Sequence, residues 1–176
     1  MPAPRASPPP RRPEPPGIAP ETAAAWMAPG GPPQRARRLR VALQRHLPVS
    51  FCFVFGLPPR GPAHLVTGAS LHGNAAMRAA EAYFALGYER FDVNTRRLGA
   101  RRVTRRGEAI VTLQTVERID DADYRRRCYE EPGVHSRASV VVAVPRRGHA
   151  AVNFYRTHAL PRFAPAELAA LSRLAP

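Results

Sequence analysis

Lysine is absent from this 176-residue chain, and all 27 basic residues are arginine. Set against 13 acidic residues, they give a formal charge of +14, which by itself would point to a nucleic-acid partner. The missing lysine weakens that inference. Abundant Arg, Ala, Gly and Pro with little Asn, Ile or Lys is what a GC-rich coding sequence yields whatever the protein does. The charge is also spread along the chain, at +6 over residues 1–47, +4 over 48–120 and +4 over 121–176. Such diffuse charge attracts polyanions non-specifically without defining a recognition surface.

Cysteine is scarce. Cys52 and Cys128 are the only two, in separate apolar segments, which excludes a disulfide scaffold and a thiolate zinc site. Both read as small core hydrophobes. No run approaches the roughly 18 apolar residues of a membrane helix, and the first 25 residues carry no apolar stretch of signal-peptide length. The expected compartment is therefore cytoplasmic, with no membrane partner.

Catalytic patterns are missing as well. The six histidines, His46, His64, His72, His135, His149 and His158, are scattered singly, with no His-x-x-x-His pair, so no metal centre is expected. Thr67-Gly-Ala-Ser70 lacks the glycine-flanked elbow of a serine hydrolase. The glycines from Gly61 to Gly73 are not followed by Gly-Lys-Ser/Thr, which excludes a phosphate-binding loop. The acidic residues at Asp120, Asp121, Asp123, Glu130 and Glu131 suit helix capping and solvation. Neither an enzyme nor a cofactor is expected.

What the chain does have begins with proline, 12 of whose 21 copies fall in the first 33 residues. Residues 1–33 are therefore expected to be a disordered Pro/Arg-rich leader. Met27 within it offers a second start, and residues 34–176 form the single domain. Ala36, Leu39, Leu43 and Leu47 recur at helical steps and predict a first helix over 34–46, ended by Pro48. Ser50–Phe55 and His64–Ala69 read as a hairpin, and Ala75–Leu86 reads as a helix closed by Gly87.

Tyr88–Gly107 is rich in arginine and reads as a short strand with an exposed loop. Glu108–Ile119 is partly apolar on both faces and predicts an interior antiparallel strand. A helix capped by Asp120 or Asp121 follows, with Tyr124 and Cys128 on its buried side. Strands at Ala138–Val144 and Ala150–Thr157 flank Pro145-Arg-Arg-Gly148, and a last helix covers Pro165–Leu174. Hairpins near both ends predict an α+β fold, an antiparallel sheet with helices packed on one side. This is the layout of GAF and PAS sensory domains.

Aromatic and amide residues supply a pocket inventory on these elements. The ligand-binding candidates are Phe53, Tyr83, Tyr124, Cys128, Asn153 and Tyr155, with Phe51, Phe55, Tyr129 and Phe154 nearby. Asn153 stands out because amides are depleted in strands. Once buried, it either bonds neighbouring backbone or faces a ligand. The competing reading is a basic nucleic-acid binder using Arg90–Arg106 and the first helix.

The last third resembles the GAF-like sensory half of bacterial LuxR-type transcriptional regulators. The similar stretches are Asp123-Tyr-Arg-Arg-Arg-Cys-Tyr-Glu-Glu-Pro-Gly-Val134, Ser139–Val144, Ala151-Val-Asn-Phe-Tyr-Arg156, Phe163-Ala-Pro-Ala-Glu-Leu168 and Leu171–Pro176. The resemblance implies a regulatory domain that binds an unknown small molecule and pairs as a homodimer or with a full-length regulator. The chain departs from the family in two ways. It lacks the Trp, Tyr, Asp and Trp pattern of the acyl-homoserine-lactone-binding members, its one Trp being Trp26. It also shows no helix-turn-helix before Pro176, so a sensor without its DNA-binding output is expected.

Overall fold

The computed structural model describes residues 47–70, 74–100, 109–144 and 146–172, and before them Gly31, Gln34, Arg37, Arg38, Arg40, Val41 and Gln44. The rest of the leader, Trp26 and Met27 included, the Arg101–Arg106 part of the basic segment and Leu174 lie outside the described residues. Gln34, Arg37, Arg38, Arg40 and Val41 are helical, in keeping with the first helix expected there.

Five strands make one sheet. They are β1 (Phe51–Leu57), β2 (His64–Ser70), β3 (Ala109–Thr115), β4 (Val134–Val144) and β5 (Gly148–Thr157), in the order β2-β1-β5-β4-β3. Every neighbouring pair is antiparallel. β1 reads Phe-Cys-Phe-Val-Phe with all five residues buried, because side chains alternate between two faces that are both covered. β3 corrects one expectation, since it lies at the edge of the sheet. Apolar residues on both faces report layers above and below a strand, and say nothing about whether it has two lateral neighbours.

The helices between β2 and β4 cover one face. They are α1 (Asn74–Ala85), a 3₁₀ turn (Tyr88–Phe91), α2 (Val93–Ala100) and α3 (Ala122–Arg125), which continues into a π-helical turn (Arg126–Glu130). α1 presents Ala76, Ala80 and Tyr83 to the sheet. It gives way at Gly87, whose φ of 64° is open to glycine at little steric cost. Tyr88–Ala100 contains no strand, contrary to expectation. It closes as two short helices because Tyr88, Asp92 and Asn94 are drawn inward.

Asp121 caps α3 by accepting from the Tyr124 N–H at 2.8 Å. The wider π turn then brings Tyr129, five residues after Tyr124, onto the same inner face as Cys128. On the opposite face of the sheet Leu47, Val49, Cys52, Val140 and Phe154 pack with Phe163 and with Leu171 of α4 (Pro165–Leu171). Two apolar clusters thus sandwich the sheet.

Candidate functional site

The strand register sets three rows of inward side chains across the helix-bearing face. One runs Phe55, Ala151, Val141 and Ile110, and is wholly apolar. The next runs Phe53, Asn153, Ser139 and Thr112. The third runs Phe51, Tyr155, Arg137 and Gln114. Aromatic rings therefore gather at the β1 end and polar groups at the β3 end. The helices complete each half in kind, with Tyr83 and Tyr124 over the rings and Asp92 and Asn94 over the polar groups.

Arg137 and Asp92 form a buried ion pair, at 1% and 0% side-chain exposure. Its two bonds are fork to fork, Nη1 to Oδ2 at 2.6 Å and Nη2 to Oδ1 at 2.7 Å. The Asn94 N–H also donates to Asp92, as do the Tyr83 and Tyr124 hydroxyls. Burial alone would raise the Asp92 carboxyl, but Arg137 and these donors hold it below its ordinary range. The same burial, reinforced by the nearby carboxylate, keeps the Tyr83 and Tyr124 phenols protonated far above their usual pKa.

Asn94 extends the network by donating to Asn153 Oδ1 at 3.2 Å and accepting from Thr112. Asn153 also accepts from the Ser139 hydroxyl at 2.8 Å. Its own amide donates to the Phe53 and Ala151 carbonyls. Every polar atom of the Asn153 side chain is thus engaged by the sheet and α2.

A cavity of about 20 Å³ lies between β1, α1 and the π turn. Phe51, Phe53 and Phe55 form its sheet wall, with Tyr155 and Arg137 beside them. Opposite stand Ala76, Ala79, Ala80 and Tyr83 of α1, and Tyr124, Cys128 and Tyr129 close the end. The rings are nearly parallel in places, with Phe51 and Tyr155 4.6 Å apart at 19° and Phe55 and Tyr83 5.2 Å apart at 27°.

Of the six candidates named from sequence, Phe53, Tyr83, Tyr124, Cys128 and Tyr155 line this one cavity, while Asn153 sits beside it in the polar network. Burial pushes the Cys128 thiol up to about 12, so it serves as a wall rather than a nucleophile. Sequence reasoning passed over Asp92, Asn94 and Arg137. Arg137 did leave a signal, because period-two alternation puts it on the same face as Ser139 and Val141, and an inward arginine needs a buried acid.

Two polar atoms of the cavity wall have no hydrogen-bond partner among the described residues, the Tyr129 hydroxyl and Arg137 Nε. Burial raises the Tyr155 and Tyr129 phenols, and the Arg137 guanidinium beside Tyr155 and the Tyr124 hydroxyl beside Tyr129 draw them partly back.

No family model matches the chain, and no curated protein matches it. Among solved structures it is similar to the N-acylhomoserine lactone-dependent LuxR-family transcription factor CepR2 from Burkholderia cenocepacia. The identity is 15% over 86% of this chain and 87% of that one, with a TM-score of 0.58. It is also similar to the phycoerythrobilin-bound GAF domain of a cyanobacterial phytochrome, at 9% identity over 89% and 85% of the two chains and a TM-score of 0.51. The fold is GAF-like. At these identities the likeness extends to the GAF-like fold and no further.

Among the described residues, no cluster of three or more His, Cys, Asp or Glu is placed to hold a metal ion. No helix there is long and apolar enough to cross a membrane. The arginines of α3 and the π turn are engaged by acids, Arg125 by Glu130, Arg126 by Asp123 and Glu131, and Arg127 by Asp123. These pairs leave little free positive charge on that face for a phosphate backbone.

Proposed function

We infer that residues 34–176 form a small-molecule-sensing domain of the LuxR regulatory type, behind a leader at 1–33, working in the cytoplasm and without catalysis. The observation that carries this reading is the ring-walled cavity, two of whose lining residues, Tyr129 and Arg137, each carry a buried polar atom without a hydrogen-bond partner among the described residues. Phe53, Tyr83, Tyr124, Cys128 and Tyr155 would contact the ligand, and Asn153 would hold the strands behind them. The acylhomoserine-lactone dependence of CepR2 and the bilin of the phytochrome domain are properties of those proteins. They support the view that a GAF-like fold can house a ligand.

The cavity of about 20 Å³ admits one water-sized body, whereas organic ligands occupy pockets of about 300–1,000 Å³. Binding must therefore part α1 and the π turn from β1 and β5. A domain that opens to bind has two states whose populations the ligand shifts. β5 gives the opening an outlet, because Tyr155 faces the cavity while the next residue, Arg156, faces away and holds Glu167 of α4 at 2.6 Å. A shift of β5 would reach α4, and through it a second copy of the chain or a full-length regulator.

The test is a compound screen by thermal shift on the full chain, with sizing alongside. A ligand at about 100 times its Kd should stabilise the fold by about 2.7 kcal/mol and change the oligomeric state. A library that raises Tm nowhere, with the protein monomeric throughout, would overturn the reading.

A further inference from the structure

We propose that the cavity is built for a neutral, planar aromatic molecule bearing a hydrogen-bond-accepting oxygen, the chemistry of an aromatic ketone. The proposal rests on the cavity being a ligand site and narrows what that ligand is. Three features on the cavity wall bear on charge, polarity and shape.

Charge comes first. The Asp92 carboxylate is neutralised by Arg137 and takes up five donors. An amine entering the cavity would find no carboxylate free to meet it. An anion would add a second negative charge to a balanced, fully buried pair and would lose its hydration without a counter-charge of its own. A neutral guest avoids both costs.

Polarity follows from the two unpartnered atoms. Arg137 Nε–H can only donate, and the Tyr129 hydroxyl is free to donate. Both residues are 1% exposed, so solvent does not reach these atoms. An acceptor oxygen on a guest would answer such a donor.

Shape follows from the walls. On the sheet side Phe51 and Tyr155 are near-parallel at 19° and Phe53 and Phe55 at 17°, opposite the small residues Ala76, Ala79 and Ala80 of α1. A flat ring is only about 3.5 Å thick at van der Waals contact, so it demands the least separation of α1 from the sheet for the apolar area it buries. It also meets aromatic faces in offset stacking.

The experiment measures binding of five probes to the full chain by calorimetry. They are chromone, naphthalene, 2-naphthoate, 2-naphthylmethylamine and octanamide. Chromone is expected to bind about tenfold more tightly than naphthalene, and Tyr129→Phe should remove most of that advantage while leaving naphthalene unchanged. Ala79→Leu, which fills the cavity from a half-buried position on α1, should abolish both. Without ligand, Tyr129→Phe should hold or raise Tm, whereas a hydroxyl with a structural bond would lower it.

Tighter binding of octanamide, the naphthoate or the amine than of chromone, lost in Ala79→Leu, would overturn the ligand class and leave the sensor reading standing. If none of the five binds while the broad screen finds another ligand of the same cavity, the class again falls alone. If the broad screen is also blank, both readings fall.

Discussion

Arg137 on β4 and Arg156 on β5 are each 1% exposed, on opposite faces of one sheet, yet the protein satisfies them differently. Arg156 Nε donates to the Pro48 carbonyl, and Nη1 and Nη2 hold Glu167, with Pro161 and Arg162 carbonyls close by. Its guanidinium also lies 4.1 Å over the Phe163 ring. Arg137 gives both of its terminal nitrogens to Asp92 and keeps Nε idle at a cavity wall. A buried cation with all three nitrogens engaged is a fastener, tying the segment before β1 and the start of α4 to β5. One with a donor to spare, inside a cavity, is set for something that comes and goes. The contrast separates the locked face of the sheet from the face that can open.

Acid should break both arginine sites at once and is the largest effect expected. Asp92 and Glu167 are held below their ordinary pKa despite burial. Glu117 is held at about 2 by hydrogen bonds from Arg162, and Asp123 at about 2 by those from Tyr88 and the neighbouring arginines. Depressed folded-state values mean that their stabilisation is present above about pH 4 and is lost as pH falls towards 2. Denaturant melts at pH 7, 4 and 2.5 should show that decline.

Asp92→Asn comes next. It leaves the Arg137 charge buried without its counter-ion, for a loss of about 3–5 kcal/mol in urea melts at pH 7. Arg156→Gln should cost less, about 2 kcal/mol, because Glu167 is partly exposed and can be rehydrated. Its signature is local, namely faster hydrogen exchange at the Leu168 and Ser172 amides, which bond to α4 and its N-cap. A uniform rise in exchange across the sheet would show that Arg156 is no local fastener. Smallest is Tyr129→Phe, which removes an idle hydroxyl and should change stability by no more than about 1 kcal/mol, upward. A fall of Tm would dissolve the distinction between the two faces.

Much of the fold was legible because its signals are local. The Ser50–Phe55 run, the Gly87 stop, the Asp121 cap and Pro165 at the start of α4 each act within a few residues, and each lies where expected. Tyr88–Ala100 was misread because its arginines suggested exposure, while the burial of Asp92 and Asn94 depends on partners as far away as Arg137 and Asn153. The edge position of β3 was hidden for a related reason, since strand order is set by how β4 and β5 pair between β1 and β3.

The sequence by itself determined that this chain makes an antiparallel sheet with helices, rich in tyrosine and phenylalanine on one set of alternating positions. Alternation and capping are short-range consequences of backbone geometry, so they can be read along a line. Only the tertiary structure decided that five of those candidates share one small cavity, that Asn153 is already spoken for, and that Asp92 answers Arg137. Pairings between distant residues cost chain entropy and are repaid only when the sheet assembles, which no single stretch of residues encodes.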